Sequence, residues 1–276
     1  MPFVKWVGGK RSLVAEITSL MAPINLNNIT YHEPFIGGGA LFLNLQPPRA
    51  IINDLNPDLI IAYRMIKERP KALYDSLKVK PNSKDKFLTE RSLDRNPNFK
   101  DLPELDRASR FIYLNKTCYN GMWRENSKGQ FNVPFSNNNM NPEAYLNLEN
   151  ALGISDYLNR NDIIIKHGTY VNALKNVSKG DFVYLDPPYY PLNATSSFTS
   201  YTKSSFGVQE QIDLKKACDE IASKGAFFVA SNSSHSFIRG LYQDYRIEEV
   251  RMRRSINSKG HLRGEVKELL ITNIDL

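Results

Sequence analysis

Apolar residues recur along this chain with two periods, and the change from one to the other divides it into blocks. Toward both ends, short runs rich in Val, Ile, Leu, Phe and Tyr read as strands, over residues 31–35, 50–54, 163–167, 182–186, 226–231, 246–251 and 268–273. Helical spacing accompanies them over 10–21, 40–45, 57–67, 208–223 and 234–242. Strands alternating with helices predict an α/β fold, a doubly wound parallel sheet with an antiparallel edge late in the chain. The middle reads differently. It is mostly helical, punctuated by Pro-Asn and Lys-Asp pairs, and carries one hairpin pattern over 123–135 that turns at Ser127-Lys128-Gly129. The pattern predicts a discontinuous domain of 1–56 and 161–276, with a subdomain of 57–160 inserted between the second and third sheet strands.

Composition narrows the class. A length of 276 residues suits one large core plus an insert. Mean hydropathy is -0.42 and no apolar run approaches the ~20 residues of a membrane span, so a cytoplasmic protein with no membrane partner is expected. The first residues lack the apolar core of a signal peptide. Two cysteines and four histidines without ligand spacing predict neither a disulfide framework nor a metal. The net charge of +7 favours a polyanionic partner. Arg246, Arg251, Arg253, Arg254, Lys259, His261, Arg263 and Lys267 concentrate that charge late in the chain. Phosphate contacts and a solvated charged surface explain such a run equally.

The chemistry centres on Asp186-Pro187-Pro188-Tyr189, which follows the buried-strand pattern Phe182-Val183-Tyr184-Leu185. Ligands in open α/β sheets bind at the carboxyl ends of strands. There a carboxylate and the Pro187 carbonyl can each accept one hydrogen of an exocyclic amine, while the Tyr189 ring stacks on its heterocycle. A second candidate, Phe35-Ile36-Gly37-Gly38-Gly39, is a glycine-rich strand-to-helix turn without the full dinucleotide spacing. Asp54 ends the next strand, where a carboxylate can take both ribose hydroxyls, and Asn56 suffices to cap the helix that Pro57 opens. In Lys5-Trp6-Val7-Gly8-Gly9-Lys10, backbone amides at a helix start and the Lys10 ammonium suit a carboxylate. Trp6 suits either an adenine or the core. Together these sites describe a nucleoside joined to an amino acid, which S-adenosylmethionine satisfies.

The order of these motifs, Lys-Trp-x-Gly-Gly-Lys, Phe-x-Gly-Gly-Gly, a long insert, then Asp-Pro-Pro-Tyr, resembles the Dam-type (alpha-group) DNA adenine-N6 methyltransferases. These include the modification enzymes of GATC restriction–modification systems. The resemblance runs from Phe3 to about Asn273. It implies a Rossmann-like methyltransferase sheet, S-adenosylmethionine held by Trp6, Gly8, Gly9, Lys10, Phe35, Gly37, Gly38, Gly39 and Asp54, and double-stranded DNA as substrate. It also implies a bacterial or phage-encoded enzyme and a cognate GATC endonuclease as a functional, not physical, partner.

By the same resemblance the insert is the target-recognition domain. Tyr119 would wedge beside the flipped adenine and Asn120 would contact the space it leaves or the backbone nearby. Met122 and Pro134 would touch a thymine methyl, Arg124 would read a guanine in the latter half of the site, and Lys5 would read the first guanine. Three departures stand out: Met122 where leucine is frequent, Ser136-Asn137 where Gly-Arg follows in some members, and Thr169 where related enzymes carry an aspartate for the cofactor adenine. N4-cytosine methylation needs the same amine chemistry, and a non-catalytic DNA-binding relative is a third reading. Protein-glutamine methyltransferases generally carry asparagine at the position of Asp186.

Overall fold

The computed structural model describes residues 1–6, 8, 10, 12–192, 206–253 and 265–275. Gly9, the hydroxyl-rich stretch 193–201, and Arg254, Lys259, His261 and Arg263 lie outside the described residues.

All seven expected strands form: β1 (Tyr31–Glu33), β2 (Arg49–Asp54), β3 (Asp162–His167), β4 (Phe182–Leu185), β5 (Phe227–Ser233), β6 (Arg246–Arg253) and β7 (Glu265–Thr272). They make one sheet of order β3-β2-β1-β4-β5-β7-β6. β1 runs parallel to β2 and to β4, and β4 to β5, whereas β7 is antiparallel to β5 and to β6. The sheet is therefore mixed, with the antiparallel edge at its late end. Winding reverses between β1 and β4, which creates a switch point at their carboxyl ends, where Asp186 follows β4 directly and Phe35 follows β1 after Pro34.

The helices are α1 (Val14–Leu20), α2 (Phe42–Leu45), α3 (Pro57–Glu68), α4 (Pro70–Lys78), α5 (Lys84–Ser92), α6 (Glu104–Thr117), α7 (Leu148–Arg160), α8 (Tyr170–Leu174), α9 (Val208–Ser223) and α10 (Ser236–Leu241). α3 starts where its signals put it: the Asn56 side chain accepts from the Leu59 amide at 3.0 Å and Pro57 takes the first position. At α9 the Glu210 carboxylate accepts the Gly207 amide at 2.8 Å. One expectation fails. The helix predicted from Lys10 begins only at Val14, after an N-cap leucine that offers no side-chain acceptor, so the amides near Gly8 and Lys10 are not its first turn.

The chain divides into two compact units. The first comprises Met1–Lys10, Gly37–Gln46 and Asp54–Gly168, and the second Arg11–Ile36, Pro47–Asn53 and Thr169–Leu276. In the first, α3 packs on α6 and α7, and α4 packs on the same pair, burying Leu59, Ile66, Leu73, Phe111 and Leu158. In the second, Val183 and Leu185 of β4 and Phe228 and Ala230 of β5 alternate onto one face of the sheet. Leu214, Cys218 and Ile221 of α9 cover them, a stripe with 3- and 4-residue spacing. Both cysteines are free and buried, with thiols pushed up to about 12 by desolvation.

The predicted hairpin forms only as a turn with isolated bridges. The Gly129 amide donates to the Asn126 carbonyl at 2.9 Å, and pairing is confined to Glu125 with Phe131 and Cys118 with Phe135. The Asn126 amide donates to the Gln130 carbonyl at 2.9 Å and the Asn132 amide to the Arg124 carbonyl at 3.0 Å, but the ladder stops there, because the Met122 amide donates to the Tyr119 carbonyl at 3.2 Å and Pro134 has no amide to give. The outward-facing Phe131 amide donates to Asp94 at 2.8 Å and its carbonyl accepts from Arg95 at 2.7 Å. Aromatic packing replaces the ladder, with Trp123 4.3 Å from Phe111 and 4.7 Å from Phe131 between ring centroids.

The late basic run is partly neutralised by its own strand. Arg246 pairs with Glu248, and Lys267 meets Glu249 at 2.6 Å.

Candidate active site

Asp186 is half-buried at the end of β4, Pro187 is buried, and Pro188 is exposed. The stretch is held from both sides. The Tyr189 hydroxyl donates to Glu268 Oε2 at 2.9 Å, which fixes the ring at its polar end. Gln211 Nε2 donates to the Pro188 carbonyl at 3.0 Å. Asn232 completes the brace: its Nδ2 donates to Gln211 Oε1 at 2.9 Å, and its Oδ1 accepts the amides of Tyr190 at 3.2 Å and Ser233 at 2.8 Å. The Gln211 and Asn232 side chains are both buried, so a polar group left unpaired there would cost about 1–3 kcal/mol. Tyr189 and Tyr184 are held far above the usual phenol range, first by burial and then by the neighbouring Asp186 charge, so both remain neutral hydroxyls. Phe35 stands in an aromatic group of the same unit, stacked on Tyr170 at 5.3 Å and meeting Phe206 edge-on at 6.1 Å.

In the first unit the glycine turn and Asp54 form one piece. Asp54 Oδ2 accepts the Gly37 amide at 3.0 Å and Oδ1 accepts the Asn56 amide at 2.9 Å. Desolvation raises the Asp54 pKa, opposed by those amides, by Leu55 and by His167. The Asn56 cap does not leave Asp54 unengaged: the Asn56, Gly37 and Leu55 amides all draw on it, and of a carboxylate's about four acceptor positions the remainder is open to a hydroxyl donor. Trp6 lies against the same turn. A Cβ on Gly37 would come within 2.6 Å of the Trp6 ring and one on Gly38 within 3.1 Å of its Cβ, and Gly37 and Gly39 have φ of 46° and 65°. Trp6 therefore packs on the glycines, with Phe111 6.2 Å beyond. Gly8 is exposed, and its carbonyl accepts from the buried Lys10 ammonium at 2.8 Å.

The residues expected to read DNA also gather within the first unit. Lys5, Tyr119, Asn120, Arg124 and Pro134 are all exposed, and Met122 is half-buried. Tyr119 presents 44% of its surface and is not part of the subdomain core. The Tyr119 amide donates to the Pro134 carbonyl at 2.9 Å, joining the two ends of the segment. Asn120 and Gly121 follow in left-handed backbone, φ 54° and 64°. The Arg124 Nε donates to Asn132 Oδ1 at 2.8 Å, orienting the guanidinium from one side. Thr169 is exposed and stands at the N-cap of α8 without a side-chain capping bond.

Three buried amides that hold these segments were not singled out by motif: Gln211, Asn232 and Asn115. Their signal was available as a polar residue on an apolar stripe. Gln211 precedes Leu214, Cys218 and Ile221 on the buried face of α9, and Asn115 follows Ala108, Phe111 and Ile112 on that of α6.

The chain matches known proteins over nearly its whole length. Residues 6–256 match the family model of D12 class N6 adenine-specific DNA methyltransferases. The type II methyltransferase M1.LlaDCHI of Lactococcus lactis subsp. cremoris is 43% identical over 274 residues, covering 99% of this chain and 95% of that protein. The type II methyltransferase M.MjaIII of Methanocaldococcus jannaschii is 39% identical, covering 99% and 98%. The DNA adenine methylase of Escherichia coli (strain K12) is 32% identical, covering 97% and 93%.

Proposed function

The chain belongs to the D12 class of N6 adenine-specific DNA methyltransferases, and we infer that it methylates adenine within duplex GATC by drawing the base out of the stack to Asp186. The observation that carries this reading is Asp186 at the carboxyl end of β4, beside the β1/β4 switch point, in a backbone pinned by Gln211, Asn232 and Glu268. Asp186 and the Pro187 carbonyl accept the two hydrogens of the adenine amine. The amine lone pair is otherwise delocalised into the ring. Two acceptors favour a more tetrahedral nitrogen and localise that pair, and Asp186 then receives the proton the nitrogen sheds. Tyr189, neutral and fixed at its hydroxyl, offers its ring face to the base.

Family membership implies S-adenosylmethionine, which when bound supplies an electrophilic methyl group. The residues present fit it. Asp54 retains acceptor capacity for ribose hydroxyls, Lys10 brings a cation suited to a carboxylate, and Gly37, Gly38 and Gly39 permit close backbone approach beside Trp6. Phe35, Gly8 and Gly9 complete the set. Among the described residues no group of His, Cys, Asp and Glu could hold a metal ion, and no helix is long and apolar enough to cross a membrane. In the DNA-reading role, Lys5 and Arg124 read guanines, Met122 and Pro134 meet a thymine methyl, and Tyr119 and Asn120 occupy the space beside the displaced base. Similarity to proteins named type II methyltransferases supports a modification-enzyme role, and on the GATC reading its functional partner is a cognate GATC endonuclease of the same cytoplasm.

The test is transfer of a labelled methyl group to GATC, GTAC and GATG duplexes, followed by nucleoside analysis. N6-methyladenine confined to GATC is expected. Label on adenine in another sequence would discard the reading of Lys5, Met122 and Arg124, and label on cytosine would discard the choice of base.

A further inference from the structure

The side chain of Asn115 joins two segments that lie far apart in sequence. Its Oδ1 accepts the Lys5 amide at 2.8 Å, and its Nδ2 donates to the Lys5 carbonyl at 2.7 Å and to the Gly121 carbonyl at 3.0 Å. Both donors and the acceptor are thus in use, and the side chain is fully buried at the end of α6. The Lys5 bonds act as a two-point clamp on one peptide, fixing its orientation as well as its position. The third bond holds the turn Tyr119–Gly121 to that peptide.

Packing reinforces the join. A Cβ at Gly121 would lie 2.4 Å from the Lys5 Cβ and 2.7 Å from its Cδ, so only glycine lets the aliphatic stem of Lys5 rest on the turn. The Cys118 thiol donates to the Met122 carbonyl at 3.2 Å, which ties the next residue of the segment to the same helix end. Lys5 is exposed beyond its stem, and Tyr119, Asn120 and Arg124 are exposed on the other segment.

We propose that Asn115 is a positioning residue for site discrimination: it sets the register between Lys5 and the 119–124 segment, so that readings at two separate base positions stand or fall together. This rests on the reading that Lys5 and Arg124 each contact a base. The physical reason for coupling is that hydrogen bonds to base edges discriminate only within a few tenths of an ångström and a narrow angle. A strut common to two reading groups displaces both when it is lost.

The experiment measures kcat/KM for methyl transfer to the GATC duplex, to a duplex altered at the first guanine, and to one altered at the guanine assigned to Arg124. It uses the full chain as wild type, Lys5→Ala, Asn115→Ser and the double variant. Thermal melting and S-adenosylmethionine affinity report folding. Asn115→Ser is expected to reduce discrimination at both positions by about tenfold or more each, with cofactor affinity unchanged. In the Lys5→Ala background it adds nothing at the first position and still relaxes the second. Equal slowing on all three duplexes, with discrimination intact, would overturn the proposal. Intact first-position discrimination in Lys5→Ala would instead sink the reading of Lys5 itself. Should Asn115→Ser fail to fold, Gly121→Ala separates Lys5 from the turn at the opposite side of the joint. It should relax both positions together, and uniform slowing there overturns the proposal equally.

Discussion

The proposed catalytic stretch and the proposed DNA-reading surface are built in opposite ways. The first is four consecutive residues, Asp186 to Tyr189, fixed where a buried strand ends. The second draws on Lys5, the segment around Tyr119 to Arg124, and Pro134, separated by more than a hundred positions and joined through the Asn115 amide. Chemistry on an amine needs two acceptors at one spot, which local sequence can supply. Reading several base pairs needs donors spread over a surface, which only tertiary structure can align. Both regions nonetheless rely on the same device, a buried amide bonded through both its nitrogen and its oxygen: Gln211 with Asn232 in one, Asn115 in the other.

Substitutions should separate the two regions by what they change. Asp186→Ala removes an acceptor needed only as the amine reacts. It should lower single-turnover methyl transfer by about 10²–10³-fold or more on every duplex, with DNA affinity retained in gel-shift titration. Arg124→Ala should cost about 1–3 kcal/mol of discrimination at one base pair and leave discrimination elsewhere intact, read as kcat/KM over a panel of altered sites. Gln211→Ala frees the Pro188 carbonyl and takes the acceptor from Asn232 Nδ2. A drop in kcat of about tenfold is expected with site discrimination unchanged, because a small misplacement of the acceptors slows transfer. A change in discrimination by Gln211→Ala would break the comparison.

The smallest effect concerns acid stability of the first unit. Burial pushes the Glu90 pKa up, but hydrogen bonds and charges from Lys80 and Lys86 outweigh it, and the folded value lies below the ordinary one. A depressed carboxylate stabilises the fold above its unfolded pKa, and that contribution is lost as pH falls through the folded value. Melting followed from about pH 6 down to about pH 3 should therefore show a decline that Glu90→Gln makes shallower.

Most strands were legible because buried runs such as Phe182-Val183-Tyr184-Leu185 carry β-branched and aromatic residues between turn signals. The α3 start was legible from Asn56 and Pro57, whose signal is local and whose capping bond forms as expected. What could not be read depended on partners outside the local pattern. The hairpin over 123–135 has alternating chemistry, yet the Met122 amide turns back to the Tyr119 carbonyl and Pro134 has no amide to give, so pairing stops beyond Arg124 and Asn132. The first helix was placed too early because Lys10 and Arg11 are good helix formers, whereas the buried Lys10 ammonium is turned back to the Gly8 carbonyl. α8 was missed because five residues, from Tyr170 to Leu174, are too few for a helical period to emerge. The glycine turn was legible as a turn. Its packing partner Trp6 was not, because nothing within the chain's local pattern says which ring will lie against Gly37.

The most direct test of the division between chemistry and reading is a side-by-side measurement of kcat/KM for Asp186→Ala and Arg124→Ala across one panel of single-base variants of GATC. The account predicts that Asp186→Ala lowers every value by a common factor, preserving their ratios, whereas Arg124→Ala flattens the ratios at one position. Ratios altered by Asp186→Ala, or a uniform loss with Arg124→Ala, would contradict it.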